Sequence, residues 1–169
     1  ETDKIGLLCY GTEKSKNPAG FTNIYLLQDL EVPDAPSILE IEKYIDNPAA
    51  FGSRIGSTEK EFPFGNVFWS AANIFSQKHL AGTTKRIFLF TCEDSPNSQN
   101  ESLQRAAKTR GKDLSELGIT LDLFPLPRPI TLSNFKVRSF YSSILPDLLS
   151  TSDELSNNHK FEELLAQVR

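Results

Sequence analysis

The strongest hydrophobic feature of the chain is Lys85-Arg-Ile-Phe-Leu-Phe-Thr-Cys-Glu-Asp-Ser-Pro96, an apolar run between a basic pair and an acidic, turn-forming end. Ile87 to Thr91 are apolar or β-branched without interruption, which predicts a strand covered on both faces, as in a parallel sheet between helices. Cys92 ends the run. Glu93 and Asp94 then fall at the carboxyl end of the strand, the edge where open α/β sheets hold ligands, and Ser95-Pro96-Asn97 turns the chain toward a helix. Ile5-Gly-Leu-Leu-Cys-Tyr10 is a second continuous run and a second buried strand, closed by Gly11-Thr12 and a polar loop from Glu13 to Gly20. Asn23-Ile-Tyr-Leu-Leu-Gln28 is a third strand. The link between these two is too short for a helical crossover, so they pair antiparallel, with the Asn23 strand outermost.

Helical spacing takes over elsewhere. Pro33-Asp-Ala-Pro36 is a helix start with Asp34 as cap, and Ile38, Ile41 and Ile45 recur on one face until Asn47-Pro48 stops it. Ala49 to Pro63 reads as an exposed loop. Val67, Phe68, Ala71, Ala72, Ile74 and Phe75, with Trp69 beside them, predict a helix lying deep against the sheet, with His79 at its carboxyl end. After the central strand, Asn97 or Ser98 caps a long helix whose stripe is Leu103, Ala106, Ala107, Leu114 and Leu117, broken by Gly111 and ended by Gly118. Ile119-Thr-Leu-Asp-Leu-Phe124 is a fourth strand, completing a right-handed parallel βαβ unit. Pro125-Leu-Pro-Arg-Pro129 is loop punctuation rather than a docking motif, and Phe140–Leu149 and Phe161–Val168 close the chain as helices.

Composition narrows the class. At 169 residues and 38% hydrophobic, residues 1–169 form one domain. A net charge of −4 argues against binding nucleic acid through bulk electrostatics. Cys9 and Cys92 both fall in expected strands, so a reducing compartment fits better than a disulfide framework. No apolar run approaches a membrane span and no signal peptide opens the chain, so a soluble, intracellular domain is expected. The absence of Met and the abrupt start, Glu1-Thr-Asp-Lys, point to a piece of a longer protein.

The candidate chemistry is sparse. Neither G-x-x-x-x-G-K-[ST] nor G-x-G-x-x-G occurs, so the usual ATP and NAD sites have no support. With two His (His79 and His159) and no nucleophile elbow, a hydrolytic triad has no motif, and Cys and His lack zinc spacing. Glu93 and Asp94 are the one place for a hard cation, weighed against a plain turn whose Asp caps the next helix; the turn is preferred, because Mg²⁺ wants several converging oxygens. On the long helix, Arg105, Lys108 and Lys112 share a side and are candidate phosphate contacts. Asp113 and Glu116 follow, and the mixed signs favour a solvated or protein-binding face.

Leu7-Leu-Cys-Tyr-Gly-Thr-Glu-Lys14, Asn23-Ile-Tyr-Leu-Leu-Gln28, Val67-Phe-Trp-Ser-Ala-Ala-Asn-Ile-Phe75, Lys85-Arg-Ile-Phe-Leu-Phe-Thr-Cys-Glu-Asp94 and Leu164-Leu-Ala-Gln-Val-Arg169 occur in order along the chain. Together they resemble the amino-terminal von Willebrand A-like domain of the seventy-kilodalton Ku subunit. The resemblance implies a Rossmann-like α/β fold: a mostly parallel sheet with one antiparallel edge strand, helices on both faces, and the first central strand and first helix upstream of Glu1. It further implies a nuclear, non-enzymatic interaction domain that pairs with the larger Ku subunit. That heterodimer binds double-stranded DNA ends, mostly through other domains, and meets end-joining and telomere proteins; no membrane is involved. Members are sometimes described as ATP-dependent helicase subunits.

In the family the helix matching Ser98 to Leu117 faces outward, so Arg110, Asp113 and Glu116 become the expected interaction surface. The family's Asp-x-Ser-x-Ser metal motif and its lyase lysine would lie before Glu1. The metal-binding Thr of typical A domains falls near Phe64-Gly65, where this chain has Phe. No metal and no cofactor are therefore expected. The competing classes are a metal-dependent von Willebrand A adhesion or binding domain and a stand-alone α/β enzyme.

Overall fold

The computed structural model describes residues 3–78, 82–126, 135–145 and 166. Its chain divides into two compact units, Glu1–Gly82 and Thr83–Arg169. The class is α/β, with one antiparallel and one parallel strand pair among the described residues.

In the first unit, β1 (Ile5–Tyr10) and β2 (Ile24–Glu31) pair antiparallel, as the short link requires. β1 is not the buried strand that its apolar run predicts: it has no buried residue, and Ile5 is 50% exposed. Continuous apolar sequence reports burial on both faces only when both faces are packed. In β2, Ile24 and Leu30 reach the core.

Asp34 caps α1 (Ala35–Asp46) by accepting from the Ser37 amide at 2.9 Å, with proline in the first turn. The expected loop after Asn47 instead contains a second helix, α2 (Pro48–Ile55). Asn47 both ends α1 and caps α2, its side chain accepting from the Ala50 amide at 3.3 Å. A stop signal thus doubles as a start, with Pro48 supplying the preorganised first position. Ile55 at its end is fully buried, and the Lys14 amide donates to the Ile55 carbonyl at 2.9 Å.

Helix α3 (Gly65–Ser76) packs on β2 and buries Val67, Phe68, Ser70 and Ile74, with Trp69 edge-on to Phe21 at 5.2 Å. Just past it, the Lys78 ammonium donates to Asp29 at 2.8 Å and Glu31 at 2.5 Å. These bonds hold the carboxyls of Asp29 and Glu31 below their ordinary range and raise Lys78. A carboxyl depressed by folding stabilises above its unfolded pKa, and that support is lost as pH falls through the folded pKa. The raised Lys78 contributes below its unfolded value and loses its effect only at strongly alkaline pH. Acid titration followed by NMR is therefore expected to give Asp29 and Glu31 midpoints below those of free carboxyls. Lys78→Met should return both toward ordinary values; unchanged midpoints would mean the cluster does not form in solution. His79 lies outside the described residues.

In the second unit, β3 (Lys85–Thr91) and β4 (Ile119–Pro125) pair parallel across α4 (Glu101–Glu116), the predicted βαβ unit. Pro125 closes β4 opposite Thr91, so the strand runs one residue into the expected loop. The prediction that β3 is covered on both faces is overturned. Leu89 and Thr91 are buried, but Phe88 and Phe90 on the alternate face are each 40% exposed. Phe90 stacks on Phe124, Phe88 meets Phe124 edge-on, and Arg86 lies 5.0 Å over Phe88, so the run is apolar without being enclosed. Cys92 lies beyond the strand and is exposed, not buried as expected; Cys9 is half-buried, and burial pushes its thiol up.

Asn100, rather than Asn97 or Ser98, caps α4, accepting from the Leu103 amide at 3.2 Å. Asn97 is occupied in a turn, with φ of 55° and its carbonyl accepting from the Asn100 amide. Gly118, at φ of 67°, follows the helix end as anticipated. Past β4 come α5 (Val137–Phe140) and a 3₁₀ turn over Tyr141–Ser143, where a helix starting at Phe140 and interrupted at Pro146 was expected. Residues beyond 145, Pro127–Pro129 and the Phe161–Val168 stretch apart from Ala166 lie outside the described residues, as does His159.

Candidate functional site

The face α4 presents outward is decided by the face it hides. Ala107, Gly111 and Leu114 are buried, whereas Ala106 and Leu117, expected in the apolar stripe, are exposed, Leu117 by 55%. Gly111 does not interrupt the stripe but belongs to it. A Cβ there would meet the Ile144 side chain at 2.6 Å, so the missing side chain is what lets the segment after α5 lie against the helix.

Of the six candidate positions on α4, four are exposed and two, Lys108 and Asp113, are half-buried. Arg105 is exposed and paired with Glu101 at 2.5 Å; Arg110 lies 3.8 Å from Asp113. Lys112 and Glu116 are exposed and Asp113 is half-buried. Lys108 differs, since its ammonium sits 5.7 Å over the Phe140 ring. The side expected to hold Arg105, Lys108 and Lys112 as one cationic row is therefore divided, with Lys108 engaged by α5. The outward face carries both signs, with Arg105, Arg110 and Lys112 beside Asp113 and Glu116.

The acidic turn after β3 has a different task from either reading considered for it. Asp94 does not cap α4. Its carboxylate accepts from the Lys136 amide at 3.2 Å, at the start of α5, and its carbonyl accepts from Ser139 Oγ at 3.2 Å. The Glu93 carbonyl accepts from Tyr141 Oη at 3.0 Å, and its carboxylate takes the Ser95 amide at 3.1 Å. Tyr141 and Phe140 are fully buried, Tyr141 stacking on Phe135 and meeting Phe140 edge-on. Glu93-Asp94 is thus a clamp for residues 135–143. Sequence reasoning missed these partners, and only the continuous aromatic pair Phe140-Tyr141 hinted at a buried anchor.

No group of three His, Cys, Asp or Glu able to hold a metal occurs among the described residues. Phe64, where typical A domains carry a metal-binding Thr, is buried edge-on against Tyr10 at 5.5 Å and Phe68 at 5.3 Å. An apolar ring cannot ligate Mg²⁺, whose shell is oxygen. Calorimetric titration with Mg²⁺, Mn²⁺ or Ca²⁺ is expected to show no binding that depends on Asp94. Micromolar binding lost in Asp94→Ala would restore the metal hypothesis. No helix among the described residues is long and apolar enough to cross a membrane.

Comparison with known proteins agrees with the sequence resemblance. The family model described as "Ku70/Ku80 N-terminal alpha/beta domain" matches residues 1–169. The chain is 36% identical over 155 residues to the ATP-dependent DNA helicase ku70 of Dictyostelium discoideum, covering 86% of this chain and 17% of that protein. It is 34% identical over 177 residues to X-ray repair cross-complementing protein 6 of Mus musculus, covering 100% of this chain and 28% of the mouse protein. It is also 36% identical over 169 residues to the ATP-dependent DNA helicase 2 subunit 1 of Rhipicephalus appendiculatus, covering 99% and 27%. This chain therefore spans under a third of the length of these relatives. With a parallel βαβ unit, an antiparallel strand pair and a family match over its whole length, the chain belongs to the Ku N-terminal α/β domain family.

Proposed function

We propose that residues 1–169 are one von Willebrand A-like domain of a Ku seventy-kilodalton-type subunit, serving as a protein-interaction module. In this reading the whole protein pairs with the larger Ku subunit in the nucleus and engages double-stranded DNA ends. This domain contributes docking of end-joining or telomere proteins rather than catalysis. The helicase wording in the relatives' names belongs to those much longer proteins.

The observation that carries the reading is the mixed-charge outer face of α4, with Arg110, Asp113 and Glu116 on a helix whose opposite face is packed. Rigid backing makes such a face suited to reading a partner's charge pattern. A metal-dependent binding domain is less well supported, because the acidic turn at 93–94 is engaged in holding residues 135–143.

The test reverses Asp113 and Glu116 to Arg in the full heterodimer. Exposed charges typically contribute under ~1 kcal/mol, so melting temperature and DNA-end loading are expected to persist. Pull-down of a repair or telomere partner is expected to weaken, because a reversed rim repels a complementary surface. Loss of end loading or a collapsed melting temperature would make the helix structural and overturn the reading.

A further inference from the structure

We infer that the outer face of α1 is a docking seat for a basic amphipathic helix of a partner protein. The helix is inverted relative to an ordinary surface helix. None of its residues is buried. Its inner, half-buried side carries Ser37, Glu40, Ile41 and Tyr44, and a largely polar and aromatic seam ties it to α2. There the Arg54 guanidinium donates to the Glu40 carboxylate and the Tyr44 hydroxyl, and Tyr44 meets Phe51 edge-on at 5.5 Å. Three of the four aliphatic Ile and Leu side chains point the other way: Ile38 is 49% exposed, Leu39 56% and Ile45 72%. An apolar outer face with a polar inner seam has its physical rationale when something covers the outside.

Charge selects the occupant. At about 3.6 residues per turn, Glu42 and Asp46 fall between the Ile38–Ile45 line and Leu39, with Lys43 at the far edge. Neither carboxylate takes part in an ion pair among the described residues. A matching surface therefore presents two cations one helical turn apart, flanked by aliphatic side chains. A second copy meeting this patch across a two-fold axis would set carboxylates against carboxylates. The chain's own Phe161–Val168 stretch carries Glu162 and Glu163, and an anionic lipid surface is repelled for the same reason. A Lys- or Arg-bearing amphipathic helix satisfies both features, the helix-in-groove mode of recognition. The inference is independent of α4, which belongs to the other unit.

The test uses the full-length protein in its assembled form and a synthetic helical peptide with Leu on its apolar face and an Arg pair one turn apart. An otherwise identical peptide with Glu replacing Arg is the control. Fluorescence anisotropy is expected to show the Arg peptide binding at least about tenfold tighter. Glu42→Arg with Asp46→Arg should reverse that preference, and Ile38→Ser with Ile45→Ser should remove binding of both peptides. The reversal is a gain for the Glu peptide, so a misfolded variant cannot imitate it. No binding, equal affinities, or a preference that survives the reversal would overturn the inference. So would protection of Leu39→Cys from maleimide in the unbound protein, which would mean the face is covered from within, or a self-association broken by Ile45→Ser.

Discussion

Tyr141→Ala is expected to destabilise the second unit by about 3–5 kcal/mol, the usual cost of removing a fully buried aromatic side chain. Tyr141 has no exposed surface, and its ring lies 5.8 Å from Phe135 and 5.0 Å from Phe140. Its hydroxyl also holds the Glu93 carbonyl at 3.0 Å. Truncation would empty the pocket and release the turn that follows β3. Tyr141→Phe keeps the ring and loses one hydrogen bond, so its expected cost is about 1 kcal/mol. Urea unfolding of the two variants separates packing from hydrogen bonding. A Tyr141→Ala effect no larger than that of Tyr141→Phe would show that residues 135–143 do not dock as described. Asp94→Ala offers an independent check, since it removes the acceptor of the Lys136 amide without touching the ring.

Gly111→Val is the second large effect, expected at about 3 kcal/mol of destabilisation, the upper range for overpacking a filled site. Replacing Gly by Ala inside a helix ordinarily gains about 0.5–1 kcal/mol, because Gly surrenders more backbone freedom on folding. Here the sign should reverse even for Gly111→Ala, since a Cβ would meet Ile144 Cδ1 at 2.6 Å, Cγ2 at 2.8 Å and Cγ1 at 2.9 Å. Three atoms of one side chain crowd the position, so rotation of a single methyl group cannot clear it. Ile144→Ala alone leaves a cavity, but it should absorb the new Val, giving a coupling of about 0.5–3 kcal/mol in the double-mutant cycle. Additive losses would place Ile144 elsewhere in solution. The same contact orients the outer residues of α4, so Gly111→Val should also weaken partner recruitment through Asp113 and Glu116 if that face is the docking surface.

Local pattern carried much of the architecture. The limits of β1, the Asp34 cap, the antiparallel turn-back of β2 and the parallel βαβ unit all follow from short-range signals: apolar runs, a capping carboxylate, loop length and helical periodicity. The shared side of Arg110, Asp113 and Glu116 on α4 was readable for the same reason, because residues three apart share a helix face, whereas the row of Arg105, Lys108 and Lys112 was divided by the packing of Lys108 over Phe140. Tertiary packing decided what such signals do not encode. Whether Ile38 and Ile45 point inward, whether Phe88 and Phe90 are covered, and whether Gly111 breaks a stripe or completes it each depend on what lies opposite. The acidic turn is the clearest case: its main partner, Tyr141, is 48 residues away, and no spacing rule links a carbonyl at Glu93 to a hydroxyl so distant in sequence. Periodicity states which residues share a side of an element; only the neighbour packed against that side determines whether it is core, clamp or open surface.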